Sequence, residues 1–344
     1  MALKVVHEGR IELAVTHSLW WQENMLALTG EEIEALIRRV ISYRPPQWVP
    51  RDDKIKRLEL IGSLFHNAPP PAVQASQVAG GRIGCSTVRL GWENAQSMST
   101  ESIQRATNMF SKAVDLLLTA FVDSDTFGAG RRIIEQLSQS SAVPLVNLID
   151  DIYAPQPALA VIAALWDVLG GLRGKKIAIS WGFGTRHVLP STAHSLCLMG
   201  ASLGADIRVV SPQEFPLLNR VIRETQVRVK TTEATFGVRN DFDSFEDVDA
   251  IYAVNWCRLD DFNHPERNTQ RASKYKEWYF TKDVVSPKSL FVTDSSVQTE
   301  LLASRELIDD ASNITPELFA WLVRALLGSI SYVTQEDSTH RRLT

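Results

Sequence analysis

The chain has 344 residues, 44% of them apolar and 22% charged, with a formal net charge of −4. That length suits two globular domains better than one core, and the charge balance offers neither the basic face of a nucleic-acid binder nor a polybasic membrane anchor. Cys85, Cys197 and Cys257 are far apart and form no CxxC or Cys/His cluster, which suggests a reducing compartment and no structural zinc; no other metal and no cofactor is expected.

The opening MALKVVHEGRIELA lacks the apolar core of a signal peptide, and no run reaches the roughly 18 apolar residues of a membrane span. A soluble, cytoplasmic chain is the expectation. LTGEEIEALIRRVISYR (28–44) reads as an amphipathic helix, with Thr29 as N-cap and Glu32 completing a capping box. A strand through Gly62–Phe65 runs into the loop HNAPPPAV and then an Ala/Val/Gln helix. STESIQRATNMFSKAV has helical spacing and gives way to the strand-length run DLLLTAF. The helix RRIIEQLSQS and the strand VPLVNLI follow.

Between Asp150 and Gly174, YAPQPALAVIAALWDVLGGLRG opens on two prolines and closes on glycines, the signature of a helix joining two domains. The second half alternates again. KKIAISW is a strand, STAHSLCLMGASLG a helix, ADIRVVSP a strand and FPLLNRVIRET a helix. VRVKTTE, VDAIYAVNW and SLFVTDS read as strands, and PELFAWLVRALLGSIS as a final apolar helix that crosses back to the first domain. The expected fold is α/β: two doubly wound parallel-sheet domains joined by a hinge helix. The domains are taken as 1–153 plus 315–344, and 154–314.

The order of these strings resembles the aspartate/ornithine carbamoyltransferase family over nearly the whole chain. LTGEEIEALI, LIGSLF, STESIQRATNMFSKAVDLLL, LRGKKIAISW, AHSLCLMGASLGADIRVVSP and VDAIYAVNW carry the likeness. The second half, with YAVNW and KYKEWYFTKDVVSPKSLFV, is most similar to the branch acting on N-acylated ornithines. There a proline-containing loop forms a chain knot, which would be GFGTRHVLPSTAHS here. The resemblance also implies a homotrimer, in which Glu101 and Ser102 belong to a loop reaching the neighbouring subunit's site or serving subunit packing alone.

The chemistry implied by the resemblance is missing. The family binds the phosphate of carbamoyl phosphate with a Ser-Thr-Arg-Thr-Arg loop at a helix start; in this sequence that loop falls on Pro69, Pro70, Pro71, Ala72 and Val73. Both guanidinium groups, every hydroxyl and three amide donors are absent. The family's His-Pro-x-Gln falls on Ala154, Pro155, Gln156 and Pro157, and the arginine after the strand DLLLT falls on Ala120. Its His-Cys-Leu-Pro falls near Thr293, Asp294, Ser295 and Ser296, the arginines beyond it near Gln298 and Thr299, and a lysine of the acyl-ornithine branch on Val254. A proline loop cannot cradle a phosphate, but it pre-shapes a rigid helix start because φ is already fixed.

Candidate site residues lie at the strand ends, where parallel sheets present ligands. His66 and Asn67 precede the prolines and could contact a ligand or move a proton, or simply satisfy their own turn. Thr293, Asp294, Ser295 and Ser296 form an acidic-hydroxyl cluster suited to an ammonium or hydroxyl ligand, or an ordinary helix N-cap. His66, Asp294 and Ser295 are assigned catalytic roles. Substrate contacts are assigned to Asn67, Tyr153, Gln156, Arg186, His187, Trp256, Arg258, Thr293 and Ser296, with hinge packing the alternative for Tyr153 and Gln156. Arg258 would hold a carboxylate or be a solvated surface arginine. His194, on an apolar helix, reads as a core histidine. WGFGTRH fits a dinucleotide fingerprint poorly, since His187 replaces its third glycine and the next strand ends without an acid.

Three functions remain open. One is an enzyme acting on an amino-acid-like or small amine/amide substrate without carbamoyl phosphate, in specialised metabolism. Another is a non-catalytic homologue binding a metabolite or partner protein. The last is carbamoyl transfer with phosphate held by Arg82, Arg89 or Arg186.

Overall fold

The computed structural model describes residues 4–5, 11–12, 28–44, 58–90, 98–123, 125–242, 245, 247–294 and 299–340. Strands β1 (Lys4–Val5) and β2 (Ile11–Glu12) form a short antiparallel pair. Helix α1 (Gly30–Ser42) begins as expected: Thr29 Oγ1 accepts from Glu32 N at 3.3 Å, and the Glu32 carboxylate accepts from Thr29 N at 2.8 Å. Its buried stripe, Ile33, Leu36, Ile37 and Val40, follows the i, i+3, i+4, i+7 spacing of one helix face.

The first sheet contains β3 (Leu60–His66), β4 (Ser86–Arg89), β5 (Leu116–Phe121) and β6 (Leu145–Asp150) in the order β4-β3-β5-β6, all parallel. LLLTAF and LVNLID are buried along their whole length, as strands covered on both faces must be. Helices α2 (Pro70–Arg82), α3 (Thr100–Ser111) and α4 (Ala129–Ser140) connect them. Leu64, Leu117, Phe121 and Leu145 pack on Ile103 of α3 and Ile133, Ile134 and Leu137 of α4.

Helix α5 (Pro155–Leu169) leads to the second sheet. It is buried on all sides from Ala158 to Leu165 and ends on Gly170, whose φ of 70° allows the left-handed cap. The second sheet contains β7 (Lys176–Trp181), β8 (Asp206–Val210), β9 (Phe236–Arg239), β10 (Ala250–Val254) and β11 (Leu290–Thr293), ordered β11-β10-β7-β8-β9 and again all parallel. Helices α6 (Ser191–Ser202) and α7 (Asn219–Thr232) join its first three strands, and α8 (Pro265–Ala272) and α9 (Arg305–Ile308) lie in the later connections.

VRVKTTE is not a strand. It continues α7, because Val221, Thr225 and Val229 recur at four-residue spacing and share the buried face. The short strands β4 and β9 carry no strong apolar alternation and were not expected.

Helix α10 (Leu318–His340) packs back on α1, α2 and α5. A Cβ on Gly328 would stand 2.7 Å from the Val40 side chain, so glycine sets this close approach. Arg324 donates to Val40 O at 3.3 Å and Ile41 O at 3.0 Å and stacks over Trp321. The stretch Thr315–Thr334 is long and apolar enough to cross a membrane, but 72% of it is buried within the protein.

Candidate functional site

In an open parallel sheet the ligand crevice lies at the carboxyl ends of the two strands from which the chain departs in opposite directions. In the first sheet these are β3 and β5. His66 and Phe121 are register partners there, and their rings stack at 5.9 Å with 24° between planes. Asn67 follows with φ of 47°, and its Nδ2 lies 3.1 Å from His66 Nε2.

Helix α2 then starts on Pro69 as N-cap, with Pro70 and Pro71 in the first turn and no side-chain cap. A helix N-terminus ordinarily offers several free N–H groups. Here the prolines have none, and the next two amides, Ala72 N and Val73 N, both point at Pro69 O, at 3.0 and 3.3 Å. From Pro69 to Val73 no backbone N–H is left unbonded.

The hinge between the sheets is built on adjacent aspartates. Asp150 Oδ1 accepts from Ile152 N and Tyr153 N at 2.9 and 2.7 Å, and Oδ2 accepts from Asn147 Nδ2 at 2.9 Å. The Arg131 guanidinium stands 3.5 Å away. Asp151 caps α4, accepting from Gly128 N, Gly130 N and Arg131 N at 2.7, 3.2 and 2.9 Å. Burial raises the pKa of both carboxyls, and the Asp150 charge adds to the rise of Asp151, which reaches about 6.

His194 of α6 ties this hinge to the second domain. Its Nδ1 bonds Ile152 O at 2.8 Å, and its Nε2 accepts from Leu218 N at 3.1 Å. Burial pushes its pKa down to about 4. Ala154 N donates to Ser191 O and to Ser195 Oγ, at 3.2 and 3.0 Å, completing the link.

Tyr153 and Gln156 face inward from this hinge. The Tyr153 ring lies 5.5 Å from the Arg131 guanidinium and is only 3% exposed. Gln156 is fully buried, and its Oε1 accepts from Ser329 Oγ of α10 at 3.0 Å.

The crevice of the second sheet lies between β7 and β10, and aromatic rings fill it. Trp181 stacks on Phe215 at 4.8 Å and donates from Nε1 to Trp256 O at 2.9 Å. Trp256, fully buried, donates from Nε1 to Phe215 O at 2.9 Å. Asp294 directly follows β11. Its charge adds to burial in raising the pKa of Tyr252, whose hydroxyl bonds the Thr192 side chain. Thr293 is fully buried, and its amide donates to Thr315 Oγ1 at 3.0 Å. Ser295 and Ser296 lie outside the described residues.

Other expected site residues are placed separately. Arg258 pairs with Asp260, Nε to Oδ2 at 3.0 Å, while its amide donates to Asn268 Oδ1 at 2.9 Å. Arg186 is exposed, and its carbonyl accepts from Asn255 Nδ2. His187 Nε2 bonds Phe262 O at 2.7 Å. That loop touches the first domain, Phe262 meeting Phe127 edge-on at 5.5 Å. Glu101 and Ser102 sit in the first turn of α3; Ser102 N donates to the N-cap Ser99 Oγ, and Glu101 pairs with Arg105.

The structure therefore joins His66 with Asn67 in the first crevice and Thr293 with Asp294 at the second sheet's edge, and disperses the rest. Sequence reasoning did not find Asp150, Asp151 or Arg131, whose partners are set by the fold; the doubled aspartate after a buried strand was the available signal. A cavity of about 270 Å³ opens at the opposite, amino-terminal edge of the second sheet, lined by Lys176, Asp206, Arg208, Arg239 and Asp247. Arg208 hydrogen-bonds the Asp247 carboxylate there and holds its pKa at about 2. Among the described residues, no group of three or more His, Cys, Asp or Glu side chains could hold a metal.

Residues 174–292 match the family model described as aspartate/ornithine carbamoyltransferase, Asp/Orn binding domain. The anabolic ornithine carbamoyltransferase of Pyrococcus furiosus is 22% identical over 258 residues, covering 75% of this chain and 77% of that protein. The ornithine carbamoyltransferase of Ignicoccus hospitalis is 28% identical over 197 residues, 57% and 60% of the two chains. Among solved structures, acetylornithine transcarbamylase complexed with acetylcitrulline superposes with a TM-score of 0.80 at 17% identity, over 90% of this chain and 98% of that one.

Proposed function

We propose that the chain is a member of the aspartate/ornithine carbamoyltransferase family, as the family-model match and the ornithine carbamoyltransferase relatives support, and that it uses the interdomain cleft of that fold for an amino-acid-like or small amine/amide ligand without carbamoyl phosphate. One observation carries this reading: three prolines and two amides turned onto Pro69 O leave the start of α2 with no donor for a phosphate. His66, Asn67 and the Asp294 cluster are the polar groups at the sheet edges for such a ligand, with His66, Asp294 and Ser295 as the reacting groups. The relatives' names, ornithine and acetylornithine carbamoyltransferases, support an amino-acid ligand on the second domain.

The same reading includes a cytoplasmic homotrimer in specialised metabolism. It includes domain boundaries at 153/154 and 314/315, a chain knot through the loop at 182–195, and Glu101 and Ser102 facing a neighbouring subunit. A non-catalytic, ligand-binding homologue is the second reading. It is favoured by Trp256 Nε1 and the Arg258 guanidinium, which are engaged by Phe215 O and Asp260.

Calorimetric titration with carbamoyl phosphate and with inorganic phosphate tests the central claim. The expected result is no heat for either at millimolar ligand, and saturable binding of carbamoyl phosphate would refute it. An Asp294→Ala variant that loses turnover of an amino-acid substrate while keeping its fold separates the enzyme from the non-catalytic reading.

A further inference from the structure

His66 and Asn67 form a side-chain pair at the end of β3. Asn67 has φ of 47°, in the left-handed region that asparagine tolerates better than most residues. This backbone brings its Nδ2 to 3.1 Å from His66 Nε2. An amide nitrogen donates and does not accept, so Nε2 must be the acceptor. A neutral imidazole accepting at Nε2 carries its hydrogen on Nδ1. One face of the ring is taken by Phe121. Nδ1 is the polar atom that remains, and it has no protein partner among the described residues.

We propose that Asn67 is a positioning residue that locks His66 in the Nδ1–H tautomer, making it a hydrogen-bond donor to a carbonyl or carboxylate oxygen of the cleft ligand. The ligand half of this inference rests on the cleft reading above, whereas the tautomer half does not. The lock excludes His66 from acting as a general base through Nε2, which Asn67 occupies. It also restores one donor to a strand end whose following helix has lost its own, although a single neutral N–H suits one oxygen rather than a phosphate dianion.

Long-range proton–nitrogen NMR spectra of the full chain, labelled with ¹⁵N-histidine, read the tautomer directly, with His66→Gln assigning the signal. At pH 7.5 the wild type is expected to show the Nδ1–H pattern, and an Nε2–H pattern would overturn the proposal. Asn67→Gly keeps the left-handed backbone and removes the carboxamide, so the single tautomer is expected to give way to a mixture. An unchanged spectrum would show that Asn67 is not the cause. Asn67→Asp substitutes an acceptor for the donor and is expected to switch the ring to Nε2–H.

The ligand half is read by adding N-acetyl-L-ornithine or 1,4-diaminobutane to the wild type. The first carries carbonyl and carboxylate oxygens and is expected to shift the Nδ1 resonance, and the second is not. A shift with neither, or with both alike, overturns the donor role while the tautomer result stands on its own.

Discussion

Replacing His194 with alanine tests the coupling of the two domains. The imidazole is fully buried, donates from Nδ1 to Ile152 O and accepts from Leu218 N, so it bridges the hinge and the entry to α7 while neutral. Truncation leaves a buried carbonyl and a buried amide without partners, at about 1–3 kcal/mol each, and opens a cavity. A loss of roughly 3–5 kcal/mol at pH 7.5 is expected in urea unfolding followed by tryptophan fluorescence and circular dichroism. The pH dependence is the sharper readout. The folded-state pKa of about 4 lies below the ordinary value of 6.5, so the unfolded chain takes up a proton first as pH falls. Stability from this group is complete above pH 6.5 and drains away towards pH 4, by about 2–3 kcal/mol at pH 4.5. The gap between wild type and His194→Ala should narrow by that amount between pH 7.5 and 4.5. Buried carboxyls elsewhere cancel in the difference. A gap that stays constant with pH would refute a neutral, bridging His194.

Asp151→Asn should remove a pH effect opposite in sign to that of His194. Because the Asp151 pKa is raised to about 6, its contribution is full below pH 4 and lost as pH rises through 6, so thermal melts of the variant should vary less between pH 5 and 7.5 than those of wild type. Gly130→Ala would place a Cβ 2.2 Å from Phe121 O and should cost at least about 1–3 kcal/mol in chemical denaturation. Ser329→Ala removes the donor to buried Gln156 Oε1 and should cost about 1–3 kcal/mol.

What the sequence disclosed about the fold was carried by short-range pattern. The Thr29–Glu32 capping box needs only neighbours three residues apart, and the apolar helix between Pro155 and Gly170 declares itself by composition. VRVKTTE misled because alternating valines mimic a strand, whereas the buried spacing that decides its fate begins upstream at Val221. The hinge helix was legible from its flanking prolines and glycines, but the hydrogen bonds that fix the hinge were not. Asp151 finds its amides 20 to 23 residues away, and His194 reaches Ile152 across 42 residues. In the same way Trp256 was legible as a polar-tipped residue at a strand end, but its partner, Phe215 O, depends on how the following loops fold over the sheet.

Both switch-point crevices are occupied by the protein's own rings, and this constrains any ligand more than the loss of one motif does. In the first sheet the His66–Phe121 stack and the proline turn occupy the ends of β3 and β5. In the second, Trp181, Phe215 and Trp256 form a hydrogen-bonded aromatic block between β7 and β10. Aromatic side chains bury large areas and resist displacement, so a ligand gains little by competing for either crevice. On the reading proposed above, a ligand instead meets the polar groups at the two sheet edges, with His66 as the donor and Asp294 as the carboxylate. The ligand expected on that reading is a small molecule with an acceptor oxygen at one end and an ammonium at the other, rather than a phosphate dianion.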